Sequence, residues 1–368
     1  MTRFHRRSTF LGLGVLLLAA STALLFAFSA GESFTLLDSE PSALSTAGRL
    51  APAPRLTNGF KNLDPKYKRA SYGARLRSFI IGGTWLIPER QVAPLPAVAP
   101  NVPALRANGH EATVTWIGHS TLLVQLDGVN FLTDPAWSDR VGPFGGLVGV
   151  SRYTPPPVPL EQLPPIDFVV ISHDHYDHLD EPTVLRLARH FNPRFVVPLG
   201  LKAWLADRGI TNAVELDWGE STTIRGLTIT CAAAQHGSGR TLLDQGHRLW
   251  ASWVVAGSKR FYFAGDTGYY RHFQDIGAAL GPFDLAALPI GSYTPREIAH
   301  SVHISPEEAL QAWVDLRATQ FLGIHWGTYM LARERYDEPP QRLAAEVERR
   351  GFDPKVIWTP KPGQTIHW

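Results

Sequence analysis

The sequence predicts an α/β fold in which two β-sheets pack face to face with helices outside. Three observations carry this. Strand-like runs come first and then alternate with helix-patterned segments, and the order occurs twice along the chain. Four of the apolar runs end in a histidine or an aspartate beside a small or turn-forming residue. With 368 residues, 44% of them hydrophobic, the chain can build a sizeable core in one large or two ordinary domains.

The elements follow in order. Segments 112–117, 120–126 and 129–133 read as strands, the last two joined by the turn Asp127-Gly128. Residues 136–165 form a long Gly/Pro loop of the kind that is functional when it occurs inside a compact domain. It ends where the strand 168–171 begins, so it is placed to roof whatever follows that strand. A helix is expected over 181–190, a strand at 195–198, a helix at 202–208 and a strand at 214–216. Hairpins are expected at 221–224/227–234 and 250–255/260–264. A helix at 269–280 and a buried strand at 285–289 come next. Ser305-Pro306-Glu307-Glu308 starts a helix reaching about Arg317, with Ser as N-cap, Pro in first position and Glu in third. A strand at 319–324, a helix at 340–349 and strands at 356–358 and 364–367 close the chain.

Composition excludes some classes. A net charge of +2 lacks the dominant basic face of a nucleic-acid binder. Cys231 is the only cysteine, so neither an intrachain disulfide nor a Cys-rich zinc site can form. It reads as a small buried strand residue.

Three regions are expected. Residues 1–30 are a targeting or anchoring segment: Arg3, Arg6 and Arg7 make a basic head, and Phe10 to Ala30 carry no charge. As a helix that stretch would span about 31 Å, enough for a bilayer core. The reading is a signal anchor, with the body on the non-cytoplasmic (periplasmic or extracellular) side. The alternative is secretion after cleavage near Ala27-Phe28-Ser29. Residues 31–108 read as a linker and an N-terminal extension that lies along the domain, rich in Pro, Ala and Ser. Its basic and aromatic residues from Lys66 to Trp85 suit an anionic membrane surface. Residues 109–368 are the catalytic body.

The chemistry centres on Ser172-His173-Asp174-His175-Tyr176-Asp177-His178-Leu179-Asp180. In an extended segment His173 and His175 share a face and can chelate one ion. A turn after His175 would aim Asp177 and His178 at a second. His236 after the run 227–234, Asp266 after 260–264 and His325 after 321–324 occupy the same kind of position. Sites in α/β sheets gather beyond the carboxyl ends of strands, so these four strand ends are expected to share one centre. Imidazole and carboxylate together suit first-row divalent ions. His119, Asp134 and Asp180 are candidates to orient those ligands.

These stretches resemble the metallo-β-lactamase superfamily, whose signature is His-x-His-x-Asp-His followed by distant His, Asp and His. Within it the chain is most similar to the N-acylphosphatidylethanolamine-hydrolysing phospholipase D branch. The similarity rests on Thr115-Trp116-Ile117-Gly118-His119-Ser120-Thr121, Phe131-Leu132-Thr133-Asp134-Pro135, Leu163-Pro164-Pro165-Ile166-Asp167, Gly265-Asp266-Thr267-Gly268-Tyr269, and Pro289 to Tyr293 with His303 to Ala309.

The resemblance implies an αββα four-layer sandwich with two zinc ions at one edge, iron or manganese being possible at one site. It implies that His173, His175 and His236 hold one ion, that Asp177, His178 and His325 hold the other, and that Asp266 bridges them. Asp177, Asp266 and His303 are the expected catalytic residues, His303 contacting phosphate or protonating the leaving oxygen. The expected reaction is hydrolysis of a phospholipid phosphodiester by a metal-bridging hydroxide. The alternatives are a lactonase or other small-ester or phosphodiester hydrolase of the same fold, and a membrane-tethered metal-binding protein without turnover.

Overall fold

The computed structural model describes residues 50–64, 93–241 and 243–368. The expected N-terminal membrane segment, and the basic-aromatic stretch from Lys66 to Trp85, lie outside the described residues. Among those residues no helix is long and apolar enough to cross a membrane.

Two seven-stranded sheets form the centre. The first runs, in spatial order, Ala213–Leu216, Arg194–Pro198, Phe168–Val170, Val129–Thr133, Thr121–Leu126, Thr113–Gly118 and Thr365–His367. Its meander Thr113–Thr133 is antiparallel, whereas Phe168–Val170 joins Val129–Thr133 in parallel. The second runs Ser221–Ile224, Leu227–Ala232, Ser252–Ala256, Arg260–Phe263, Phe283–Pro289, Ala318–Ile324 and Ile357–Trp358, antiparallel up to Arg260–Phe263 and parallel beyond it.

The period of two in the strands makes the layers. Leu122, Val124, Leu126, Phe168 and Val170 enter the core shared with the second sheet. The intervening Leu123, Val169 and Ile171 face outward, onto Val184 and Leu187 of helix Glu181–His190 and Leu201 and Leu205 of helix Leu201–Ala206. Phe131 stacks on Phe168 with ring centres 4.6 Å apart and touches Phe261 of the other sheet at 5.9 Å. Helices His272–Ala279, Pro306–Asp315 and Glu338–Arg350 belong to the second half. Phe273, Ile276, Leu310 and Leu343 bring them into the larger core. The expected capping box is present: Ser305 Oγ accepts from Glu308 N, and Glu308 accepts from Ser305 N.

Two regions carry more structure than their composition suggests. Within 31–108, residues 50–64 lie along the body and pack into it. Arg55–Leu56 pairs with Gly59–Phe60, Phe60 and Leu63 are buried in the larger core, and Asp217 accepts from Ala53 N and Arg55. Asn101 caps a further helix, Val102–Ala107. The loop 136–165 carries a small hairpin, Arg140–Val141 against Val150–Ser151. The burial of 50–64 depends on contacts with distant chain, such as Asp217, which local patterning does not report.

Candidate metal centre

All four expected strand ends open on one edge of the sandwich, and their side chains converge. His173 Nε2 lies 2.8 Å from His175 Nδ1, which lies 3.2 Å from His236 Nε2. Burial holds all three imidazoles below their ordinary pKa. Three neutral rings with nitrogens at one point cannot satisfy one another, since a close pair shares at most one N–H. They fit the ligand set of a single cation.

A second group adjoins the first. Asp177 Oδ2 is 3.3 Å from His178 Nε2 and 3.7 Å from His325 Nε2. Asp266 spans the two groups. Its Oδ1 is 3.0 Å from His325 Nε2, and its Oδ2 is 3.2 Å from His178 Nε2 and 3.8 Å from His236 Nε2. Burial would raise both carboxyls, but His178 and its neighbours outweigh it and hold them well below the usual range. His325 is also buried, yet Asp266 and Asp177 push it up to about 9.

The donor set can be tested for a metal on its own chemistry. His178 Nε2, His325 Nε2 and Asp266 Oδ1 are fully buried and make no hydrogen bond despite their proximity. Buried polar atoms left so are costly. These three point into the space between Asp177 and Asp266, and divalent cations suit that space.

The rings are aimed by partners behind them. His236 Nδ1 donates to Val302 O at 2.9 Å, which leaves Nε2 free to face the group. His173 Nδ1 lies 2.9 Å from Ser172 Oγ, which donates to Asp134 Oδ2 at 2.5 Å. Asp134, fully buried, also accepts from Ser172 N and lies 2.7 Å from His178 Nδ1. His119 Nε2 is 2.8 Å from Asp177 Oδ2, and His119 O accepts from His325 N. His119 and Asp134 therefore hold neighbouring side chains, as their positions suggested. Asp180 does something else. It accepts from Trp137 N, Ser138 N and Ser138 Oγ, tying the long loop to the start of helix Glu181–His190.

Backbone geometry contributes. His119, Asp134 and His325 all take left-handed conformations, with φ of 53°, 34° and 61°, a costly choice for side-chain-bearing residues that clusters at functional sites. Gly265, at φ 59°, passes so near Ser172 that a Cβ there would sit 2.4 Å from Ser172 Cβ. Only glycine lets the Asp266 turn approach the first motif this closely. His303 arrives from the turn before helix Pro306–Asp315. Its Nδ1 is 3.8 Å from Asp266 Oδ2, and burial lowers its pKa to about 4.

Asn62 had no sequence signal. It lies 174 positions before His236, yet its Nδ2 donates to His236 O at 2.7 Å and its Oδ1 accepts from His236 N at 3.0 Å and from Trp250 Nε1 at 3.0 Å. Both backbone groups of an expected ligand are thus gripped by one buried amide. Asn62→Ala is expected to lower affinity at the His173/His175/His236 site by about 10-fold or more. Competition with a chelator would measure it. Unchanged affinity in a folded variant would show that the grip is dispensable.

A four-layer αββα sandwich gathering imidazoles and carboxylates at the carboxyl ends of its strands defines a metal-dependent hydrolase of the metallo-β-lactamase fold. The chain belongs to the β-lactamase superfamily: the family model described as "Beta-lactamase superfamily domain" matches residues 129–326. It is 50% identical over 250 residues to N-acyl-phosphatidylethanolamine-hydrolyzing phospholipase D 1 of Caenorhabditis elegans, covering 64% of this chain and 70% of that one. It is 40% identical over 372 residues to the uncharacterized protein Rv0906 of Mycobacterium tuberculosis, covering 98% of this chain and 96% of that one. Among solved structures it resembles Igni18, a metallo hydrolase from Ignicoccus hospitalis, at a TM-score of 0.53 and 24% identity, over 70% of this chain and 98% of that one.

Proposed function

We propose that this hydrolase cleaves a phospholipid phosphodiester of the N-acylphosphatidylethanolamine kind. Water would add to phosphorus and the alkoxide would leave, giving a phosphatidic-acid-type lipid and an amino-alcohol amide. The observation that carries the reading is the 50% identity to an enzyme named for that reaction, in a chain whose expected ligands converge.

In this reading His173, His175 and His236 hold one divalent ion, zinc by preference. Asp177, His178 and His325 would hold the other, with Asp266 placed beside both groups of side chains. Such a pair supplies hydroxide at neutral pH and neutralises phosphoryl charge. The chain's own residues do the rest. Asp266 fixes the spacing of the two groups through its two oxygens. His119 keeps Asp177 turned inward. His303, uncharged at neutral pH because burial lowers its pKa to about 4, is placed beside Asp266 to hydrogen-bond a phosphoryl oxygen or carry a proton to the departing oxygen. The apolar N-terminus would anchor the body on the non-cytoplasmic side.

The test is a substrate panel on metal-replete protein. N-acylphosphatidylethanolamine should be turned over at least ~100-fold more efficiently than a soluble lactone. The opposite ratio would overturn the phospholipase reading and favour a lactonase.

A further inference from the structure

Arg240 stands four positions after His236, on the loop that follows that candidate ligand. Only 8% of its side chain is exposed. A guanidinium so enclosed normally meets a carboxylate in a close pair. Here Nη2 lies 4.0 Å from Glu181, beyond hydrogen-bond reach. Nη1 instead donates to two main-chain oxygens, Asp174 O at 2.9 Å and Leu179 O at 2.8 Å.

Those two carbonyls bracket the turn that carries His175, Asp177 and His178. Inside the turn, His178 N and Leu179 N both donate to His175 O, at 3.1 and 2.8 Å. The inner backbone is thus closed on itself, and the outer carbonyls are left to Arg240. One nitrogen therefore spans both ends of a segment whose ligands diverge. His175 joins His173 and His236, whereas Asp177 and His178 join His325 and Asp266.

The hold is reciprocal. Tyr176 Oη donates to Arg240 O at 2.6 Å, and its ring centre lies 4.1 Å from the guanidinium carbon. Trp204, from helix Leu201–Ala206, lies 5.0 Å away. The neighbours of Arg240 grip the same motif. Gly239 N donates to Asp174 Oδ1 at 2.6 Å, and Arg248 Nη1 donates to Asp174 Oδ2 at 2.7 Å. Asp174 is fully buried between His173 and His175. The loop after His236 and the His173–Leu179 motif are interlocked, with Arg240 at the centre.

We propose that Arg240 is a positioning residue: it fixes the turn that divides the motif's ligands, sending His175 toward His236 and Asp177 with His178 toward His325. The inference rests on the two-ion reading of the centre, and metal binding tests it independently of any substrate.

Cobalt(II) is the probe, because its visible absorption reports ligand number and geometry. Full-length, metal-free protein is titrated with cobalt(II) against a competing chelator, and its thermal unfolding is recorded alongside. Arg240→Ala should bind cobalt about 10–100-fold more weakly, with an altered spectrum of the bound ions. Arg240→Met keeps an apolar stem against Tyr176 and Trp204 but no donor, and should show the same loss. Both bonds to the turn come from one nitrogen, so Arg240→Lys should recover most of the affinity. Arg240 also lines a cavity of about 860 Å³, through which methylguanidinium can enter the space that alanine leaves. Added methylguanidinium should return Arg240→Ala toward the wild-type affinity and spectrum.

Arg208→Ala is the control. Arg208 lines the same cavity and lies 3.7 Å from the Trp204 ring centre, but its bonds go to Trp204 O and Glu181. Its loss should leave cobalt binding at the wild-type level. Wild-type affinity and spectrum in a folded Arg240→Ala or Arg240→Met would overturn the proposal. A loss that neither lysine nor methylguanidinium reverses, or an equal loss in Arg208→Ala, would also overturn it and assign the effect to general packing. A wild-type chain that takes up a single cobalt ion would refute the two-ion reading. Arg240 would then stand or fall on whether its variants weaken that one ion.

Discussion

Asp266→Ala is expected to abolish hydrolysis, lowering kcat by about three orders of magnitude or more, and to lower the metal content of the purified protein. Asp266 approaches both groups of candidate ligands, reaching His178, His325 and His236. Its loss removes the negative charge between them and leaves His178 and His325 facing each other with like polarity. Asp266 is buried on the loop after the strand Arg260–Phe263, so thermal unfolding of the same preparation separates loss of chemistry from loss of fold. Asp266→Asn keeps the shape without the charge, so a comparable loss of metal there would assign the effect to charge. Steady-state kinetics with metal analysis on the same preparation measures both. Near-normal turnover in a metal-replete Asp266→Ala would refute the bridging role.

Asp134→Ala is expected to act differently, through stability first. The carboxylate is fully buried and accepts from Ser172 N and Ser172 Oγ beside His178 Nδ1. Burial pushes its pKa up, against the hydrogen bonds of His178 and Ser172 that pull it down. Removing one partner of such a buried, hydrogen-bonded charge leaves the others unsatisfied and costs about 3–5 kcal/mol. Ser172 aims His173 and Asp134 aims His178, so metal affinity should also fall by roughly 10–100-fold. Denaturant unfolding of the metal-free protein isolates the first effect, and chelator competition the second. A variant that loses neither would show Asp134 to be a turn residue only.

The parts of this molecule that were readable in advance are those set by local periodicity. The runs 120–126 and 168–171 gave strands of the first sheet, and Ser305-Pro306-Glu307-Glu308 gave a helix start to the residue. The candidate ligands were visible for the same reason: each stands at a strand end, where an apolar run stops abruptly at His or Asp. What escaped notice was set by distance in sequence. Asn62 grips His236 from a segment with no recognisable spacing. Asp180 looked like part of the metal motif because it adjoins it, but it faces Trp137 and Ser138, which only tertiary packing brings near. Ser172 reads as a spacer until the turn at Gly265 closes on it. The left-handed backbones of His119, Asp134 and His325 were not anticipated either, although Asp and His tolerate that conformation better than most side chains.

The central claim is that His173, His175, His236, Asp177, His178, His325 and Asp266 together hold two metal ions. Anomalous diffraction from crystals of the metal-loaded protein tests it most directly. Two peaks are predicted, one among His173, His175 and His236 and one among Asp177, His178 and His325, with Asp266 between them. A single peak, or peaks away from these side chains, would contradict it.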